Sequence, residues 1–276
     1  MDKLFAAKKP SGISSNHFLA RLKRKYGVKK AGFSGTLDPF ASGVLLVAFG
    51  SYTRLFQYLE VEPKVYEACL WLGAFSPSGD NENISKVDII KPFEPKILSK
   101  NVENLQGILD YTPPKYSAKH VNGVRAYELA RRGVDFELKT EQMEVFSAEI
   151  LHYTHPFLLV RLELSKGSYA RSWAGLLAKK LGINATLSAL ERKSEGGFFY
   201  ENEKALDPLK HLKIAQNWYK KSQSDIELGK KLCVDDFKIK ENGEYFIKFE
   251  KFFSIIEILN GQVTYRLNGV KNADFN

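Results

Sequence analysis

The chain has 276 residues, 44% of them hydrophobic, which is enough for one sizeable core and a small appendage. Its formal net charge of +9 is concentrated, because residues 1–30 hold nine Lys or Arg against one acidic residue and residues 115–132 hold five against one, so an acidic partner is expected. The only two cysteines, Cys69 and Cys233, are widely separated, which excludes a disulfide framework and a CxxC metal site. Only four apolar residues stand in a row before Lys8, so we expect a cytoplasmic protein without a signal peptide or membrane span.

The first predicted helix begins at Ser14 or Ser15, whose hydroxyls can cap it, and ends at Gly27. Its apolar residues recur at helical spacing and form one face. The opposite face carries most of the basic side chains, namely Arg21, Lys23, Arg24 and Lys25. That face is free to bind a polyanion, and a merely solvated basic face is the alternative interpretation.

A single carboxylate, Asp38, lies in a turn between a glycine-rich segment and an apolar strand. Pro39 fixes its own φ and disfavours the helical conformation at Asp38, so the carboxylate is presented in one orientation. Asp38 is therefore a candidate functional residue. The alternative is an Asp-Pro turn in which the carboxylate only bonds to its own backbone.

The rest of the larger domain is predicted to be α+β, with a mixed, mostly antiparallel sheet and flanking helices. Strands are expected over 44–49, 66–72, 143–153 and 157–164, and a short helix over 52–59. Apolar residues at helical spacing before Gly182 predict another helix, with Arg171 in its first turn.

A polar run at 220–225 suggests a boundary between a domain of residues 1–222 and a small domain of residues 226–276. Three short strands are expected in the second part, over 245–249, 252–259 and 263–267, with a hairpin turn at Asn260-Gly261. The small domain is therefore predicted to be β-rich. At about fifty residues it is marginal alone and is expected to dock on the larger domain.

Five segments, in order between residues 9 and 171, resemble the motifs of the TruB family of pseudouridine synthases. They are Lys9-Pro10-Ser11-Gly12-Ile13-Ser14-Ser15, Leu37-Asp38-Pro39-Phe40-Ala41-Ser42-Gly43-Val44-Leu45, Val65-Tyr66-Glu67-Ala68, Pro113-Pro114-Lys115-Tyr116-Ser117-Ala118 and Ser165-Lys166-Gly167-Ser168-Tyr169-Ala170-Arg171. The resemblance implies the pseudouridine synthase fold, an RNA-clamping insertion at about 113–133, and a small PUA-like RNA-binding module at the C-terminal end.

The resemblance also implies roles for individual residues. Asp38 is the expected nucleophile, Arg171 its ion-pair partner, and Tyr66 the ring that stacks on a flipped base and helps to remove a ring proton. Expected substrate contacts are Lys9, Phe33, Tyr169, Leu190, Lys119, Arg131 and Arg132. On pattern alone, Tyr66, Tyr169 and Leu190 could instead pack in the core.

The implied activity is the conversion of uridine to pseudouridine at position 55 of the tRNA T-loop, by base flipping and without a cofactor or metal. Whether Asp38 attacks the ribose or the uracil stays open. We expect the T-arm of tRNA as partner, no obligatory protein partner, and a monomer. The alternatives are an RNA-binding or tRNA-folding protein without catalysis, and the same chemistry on another RNA.

Two positions depart from the family pattern. Phe33 stands where bacterial members usually carry His, and Ser76-Pro77-Ser78 replaces a Thr-Asp-Thr loop, although Asp80 remains. An aromatic ring at position 33 could fill the gap left by an extruded uridine or stack on a flipped base. The alternative is that Phe33 fills the core below the turn.

Overall fold

The structure, a computed structural model, describes residues 1–272, so the last four residues of the predicted small domain lie outside the described part. Within it the helices are α1 (Ser15–Tyr26), α2 (Pro95–Glu103), α3 (Ala126–Arg131), α4 (Ala170–Leu181) and α5 (Gln223–Glu227). The strands are β1 (Lys3–Lys9), β2 (Ala31–Phe33), β3 (Ser42–Phe49), β4 (Lys64–Leu72), β5 (Ala74–Phe75), β6 (Lys86–Val87), β7 (Gly107–Tyr111), β8 (His120–Val121), β9 (Val124–Arg125), β10 (Glu141–Thr154), β11 (Phe157–Leu164), β12 (Ala185–Glu195), β13 (Ala215–Asn217), β14 (Gly243–Lys248), β15 (Phe252–Leu259) and β16 (Gln262–Lys271).

An eight-stranded sheet has the strand order β1-β3-β12-β4-β11-β10-β7, with β2 pairing with β3. Its neighbouring strands are antiparallel except for β12 and β3, which are parallel. The prediction of an α+β fold with a mixed, mostly antiparallel sheet is confirmed.

The central strand β4 shows why this sheet has one buried face. Its residues alternate between fully and partly buried positions, so Tyr66, Ala68 and Leu70 all point to the same core. Helix α4 covers that core with Trp173, whose indole Nε1 donates a hydrogen bond to the Leu105 carbonyl at 3.0 Å. The first turn of α4 is thereby fixed above the sheet.

Helix α1 has the bounds that its capping residues predict. Ser14 accepts a hydrogen bond from the His17 amide at the N-terminus, and Gly27 closes the C-terminus with a φ of 62°. Phe18 and Leu22 form its buried face, as expected.

The predicted helix over 52–59 is wrong. A short 3-10 helix covers Gly50–Arg54, and the chain then continues in tight turns. The Leu55 amide donates to the Tyr52 carbonyl and the Tyr58 amide donates to the Leu55 carbonyl. Since these buried side chains recur every three residues, they suit successive three-residue turns better than an α-helix.

A second sheet has the order β13-β14-β15-β16, and its β-rich character was predicted. The hairpin turn lies at Asn260 and Gly261, both with positive φ, as expected. Strand β13 precedes the predicted boundary at 222–226 and pairs in parallel with β14, so the sheet begins upstream of that boundary. The two-domain division stays a prediction.

The two sheets share one hydrophobic cluster. Leu4 and Leu46 of the larger sheet pack with Phe253, Ile255 and Val270 of the smaller one, all of them buried. The small sheet is therefore attached to the back of β1 and β3. No helix within residues 1–272 has the length and apolarity needed to span a membrane.

Candidate active site

The loop that carries Asp38, residues 34–41, connects β2 to β3 and is held by contacts from α1 and β1. The buried hydroxyl of Ser15, at the start of α1, donates to the Leu37 carbonyl at 2.9 Å and accepts from the Leu37 amide at 3.0 Å. The Gly12 amide donates to the Pro39 carbonyl at 2.8 Å. The turn at Asp38 is thus fixed on both sides.

Lys9 supports the same turn from below. Its side chain is fully buried, and Nζ donates to the carbonyls of Pro10 and Ile13 at 2.8 Å and of Pro39 at 3.4 Å. Burial lowers the pKa of Lys9 to about 8, and the Asp38 carboxylate opposes that change. Lys9 therefore has contacts inside the protein, and its expected contact with substrate stays a prediction.

Arg171 lies in the first turn of α4, as predicted, and its guanidinium is almost fully buried. Nη2 is 2.9 Å from Asp38 Oδ2, and Nη1 is 3.6 Å from Asp80 Oδ2. The same two nitrogens donate to the carbonyls of Tyr116 at 2.8 Å and Ser78 at 2.7 Å. One side chain therefore binds the Asp38 loop, the loop after β5 and the insertion.

Two opposing effects set the charge state of Asp38. Burial raises the pKa of its carboxyl above the usual range, and the nearby Asp80 carboxylate adds to this. Arg171 and Lys9 hold the pKa of Asp38 lower than burial alone would. The carboxylate depends on these cations for its ionised form.

Asp80 has no role assigned by the sequence, yet it is buried next to Arg171. The Ser78 hydroxyl donates to its carboxylate, and the Ser76 and Ser78 hydroxyls are 2.9 Å apart. The Ser76-Pro77-Ser78 departure thus forms a buried hydrogen-bonded loop that supports Asp80. In the sequence, an acidic residue directly after Gly79 was the only sign that this loop contributes a carboxylate to the site.

On one side of Asp38 lies a cavity of about 290 Å³, here called the sheet-side cavity. Tyr66 of β4, Leu190 of β12 and Tyr169, directly before α4, line it together with Asp38. Tyr66 and Leu190 are only 8% and 7% exposed. The structure therefore brings these four predicted site residues together around one cavity.

On the other side of Asp38 lies a cavity of about 430 Å³, here called the insertion-side cavity. The start of α1 lines one wall, and Tyr116, Arg125, Tyr127 and Arg131 of the insertion line another. The guanidinium of Arg131 lies 5.6 Å from the centre of the Tyr127 ring. Asp38 and Leu37 line both cavities, so the carboxylate lies at their junction.

The insertion consists of the β8–β9 hairpin, turning at Asn122 and Gly123 with positive φ, and the short helix α3. Lys119 lines neither cavity and forms an ion pair with Glu141 at 2.6 Å. Arg131 and Arg132 are exposed. Their expected contacts with substrate stay predictions.

Phe33, in β2, is partly buried and packs against the cluster of Phe5, Phe18 and Phe49. This contact agrees with the alternative that the ring fills the core, while its expected stacking role stays a prediction.

The basic side chains of Arg21, Arg24 and Lys25 on α1 are exposed, and Lys25 forms an ion pair with Glu203 at 2.6 Å.

Three further residues near the site were missed by the sequence analysis. Lys64, Arg192 and Glu195 form a buried ionic cluster, and Lys64 lines the sheet-side cavity. The signal for Lys64 was its position two residues before Tyr66, because alternate residues of a strand share one face.

Within residues 1–272 no group of His, Cys, Asp and Glu side chains is arranged to hold a metal ion.

Known proteins are similar to this chain in both sequence and fold. Residues 23–170 match the model of the TruB family pseudouridylate synthase N-terminal domain. The tRNA pseudouridine synthase B proteins of Campylobacter concisus and Campylobacter curvus are 55% and 56% identical, over 99% of this chain and 100% of theirs. The fold is also similar to a chain of the Cbf5-Nop10-Gar1 complex, with a TM-score of 0.68 at 19% identity over 98% of this chain and 84% of that one. The chain therefore belongs to the TruB family of pseudouridine synthases.

Proposed function

We propose that this chain isomerises uridine to pseudouridine in the T-loop of tRNA, at position 55, with Asp38 as nucleophile. The observation that carries the proposal is the ion pair of Asp38 and Arg171, with Asp38 lining a cavity of about 290 Å³ together with Tyr66, Tyr169 and Leu190. The names of the relatives, tRNA pseudouridine synthase B, support tRNA as substrate.

The reaction is an isomerisation, so it needs no oxidant, reductant or group donor. The bond between uracil N1 and ribose C1′ breaks, the base turns, and a bond forms between C5 and C1′. One proton leaves C5 and one is gained at N1. The Asp38 carboxylate supplies the electron pair that holds one fragment, at either C1′ of the ribose or C6 of the uracil, while the base turns.

The residues around Asp38 have separate tasks in this reaction. Arg171 keeps the carboxylate ionised and oriented by a short ion pair in a site of low exposure. Tyr66 and Leu190 hold the uracil ring, since both side chains line the cavity from adjacent strands of the sheet. The Tyr66 hydroxyl assists in removing the C5 proton.

A uridine in a folded loop reaches Asp38 only after it leaves its stack. The insertion-side cavity, with Arg125, Arg131 and Tyr127, lies beside Asp38 and suits the RNA backbone that flanks the flipped nucleotide. The T-arm is therefore the part of tRNA that binds here. We also propose that the chain acts as a monomer in the cytoplasm, without an obligatory protein partner.

The test is to map pseudouridine in a transcribed tRNA after incubation with the purified chain, by carbodiimide modification and primer extension. The wild-type chain is expected to give one new pseudouridine in the T-loop, and Asp38→Asn to give none while its Kd for tRNA stays within a small factor. A tRNA with cytidine at the target position is the matched control.

Each alternative predicts a different result. Tight binding by the wild-type chain without any pseudouridine would support a non-catalytic RNA-binding protein. Pseudouridine at another position, or only in another RNA, would refute the T-loop assignment. Multiple turnover by Asp38→Asn would remove Asp38 from the role of nucleophile.

A further inference from the structure

Three charged side chains are buried below the loop that carries Asp38. The side chains of Arg192 and Glu195 are 0% exposed and that of Lys64 is 10% exposed. Glu195 lies between the two cations, with Oε1 3.3 Å from Lys64 Nζ and Oε2 3.4 Å from Arg192 Nη2. Two cations and one anion thus share a site with little access to water.

Arg192 binds both ends of the Asp38 loop. Its Nη2 donates to the Gly35 carbonyl at 3.0 Å, at the start of the loop, and its Nε donates to the Val44 carbonyl at 2.7 Å, just beyond the end. The backbone of Arg192 lies between β3 and β4, paired with Gly43 on one side and Tyr66 on the other. A single residue therefore connects the Asp38 loop to the strand of Tyr66.

The first residues of the loop rest directly on the charges. The Ser34 hydroxyl donates to Glu195 Oε1 at 2.8 Å. Gly35 has a φ of +57°, and a Cβ there would collide with Lys64 Nζ. A Cβ at Gly43 would collide with the Arg192 carbonyl at the other end. Both glycines allow an approach that larger residues would block.

Burying such a cluster of charges in a protein core has an unfavourable free energy of desolvation. Removing ions from water costs several kcal/mol each, and apolar residues of similar volume are often at least as stabilising. Within residues 1–272, Nη1 of Arg192 is buried without a hydrogen-bond partner, so the cluster is not even fully satisfied. The stability of the fold therefore does not explain why these charges are buried, whereas their contacts with the Asp38 loop do.

We propose that Lys64, Arg192 and Glu195 form a clamp that positions Asp38 relative to Tyr66, with Glu195 as the positioning residue that holds both cations and Ser34. The inference rests on the proposed function for its catalytic meaning. Its structural part, that the clamp restrains residues 34–43, holds independently of the reaction. Since Lys64 also lines the sheet-side cavity, the clamp extends to the space where the target base is placed.

The test compares Ser34→Ala and Glu195→Gln with wild type in two measurements. Hydrogen exchange of the RNA-free protein reports the mobility of residues 34–43, and single-turnover conversion with enzyme in excess reports the rate constant of the folded fraction. Glu191→Gln is the matched control, because Glu191 lies on the same strand but pairs with Lys8 and Lys193 near the surface.

We expect faster exchange across residues 34–43 in both variants, and no change there in Glu191→Gln. The single-turnover rate constant is expected to fall about 100-fold in Glu195→Gln, because a displacement near 1 Å can have that effect, and less in Ser34→Ala, while the Kd for tRNA stays unchanged. A simple loss of folded protein would leave the rate constant as it is, as long as the folded enzyme stays in excess over the RNA and saturating.

Other results would overturn the inference. Unchanged hydrogen exchange across residues 34–43 would show that the three residues do not restrain the loop. Faster exchange with a wild-type rate constant would show that the restraint does not position Asp38 for the reaction. If Glu195→Gln does not fold, Ser34→Ala decides, because it removes one hydroxyl and leaves the buried charges paired. An inactive wild-type chain would refute the proposed function, while the exchange measurement would still decide whether the clamp exists.

Discussion

The two cavities that meet at Asp38 are built in different ways. The sheet-side cavity combines loop residues with side chains of the central strands β4 and β12, of which Tyr66 and Leu190 are almost fully buried. The insertion-side cavity is lined by loops, by the start of α1 and by the insertion, whose Arg125 and Arg131 are exposed. The comparison indicates that two side chains expected to hold the base are fixed on strands of the sheet, whereas the basic side chains expected to bind RNA lie on the surface of an insertion.

The largest effect is expected at Arg171, which lines the insertion-side cavity and pairs with Asp38 where the two cavities meet. Arg171→Met removes the cation that holds the pKa of Asp38 down, so this pKa rises and a smaller fraction is ionised at a given pH. We expect kcat to fall by about 10²–10³-fold and the acidic limb of the pH profile to move to higher pH. Lys180→Met, an exposed change on the same helix, is the control. An unmoved acidic limb would separate Arg171 from the ionisation of Asp38.

A second change affects the sheet-side cavity alone. Tyr66→Phe keeps the ring and removes the hydroxyl, so binding of tRNA should be unchanged and single-turnover conversion should slow by about 100-fold, as for loss of a proton-transfer group. Tyr245→Phe, which removes a hydroxyl in the second sheet, controls for the change itself. A wild-type rate in Tyr66→Phe would make Tyr66 only a stacking platform.

On the insertion side we expect weaker binding of tRNA without a change in the rate of conversion. Replacing both Arg131 and Arg132 by Gln should raise the Kd for tRNA about tenfold and flatten its dependence on salt, since each lost phosphate contact lowers the log–log slope by about 0.9 in duplex RNA. The rate constant at saturating enzyme should not change. Gln at Lys96 and Lys100, exposed residues of α2, removes the same charge elsewhere. If that control flattens the slope equally, the insertion has no special place in binding.

The smallest effect is expected at Phe33, next to the loop but packed on a separate cluster. Phe33→Ala should lower the Tm and weaken tRNA binding about tenfold, the lower part of the roughly 1–3 kcal/mol that one stacked base contributes, whereas Phe33→His should bind like wild type. The measurements are thermal unfolding and Kd. Two variants that melt earlier but bind and react normally would show that Phe33 serves packing alone.

Local patterns predicted much of this molecule and missed the contacts between distant segments. The caps of α1, the strand over 157–164 and the position of Arg171 all depend on neighbours in sequence, and the structure confirms them. The pairing of Ser34 with Glu195 joins residues 161 positions apart, and no local rule reveals that a charged residue will be buried with a partner. For the same reason the short strand β13, which pairs with β14 more than twenty residues later, was not predicted.

The hydrophobic cluster shared by the two sheets has a consequence for how the chain unfolds. Phe253, Ile255 and Val270 cover apolar residues of β1 and β3, and the Tyr52 hydroxyl donates to the Lys271 carbonyl at 2.9 Å. Separating the sheets would expose one continuous apolar surface on both, so they should melt in a single cooperative transition. The C-terminal sheet is then an obligatory part of the catalytic fold, and a chain cut before β13 would lose its solubility together with its activity.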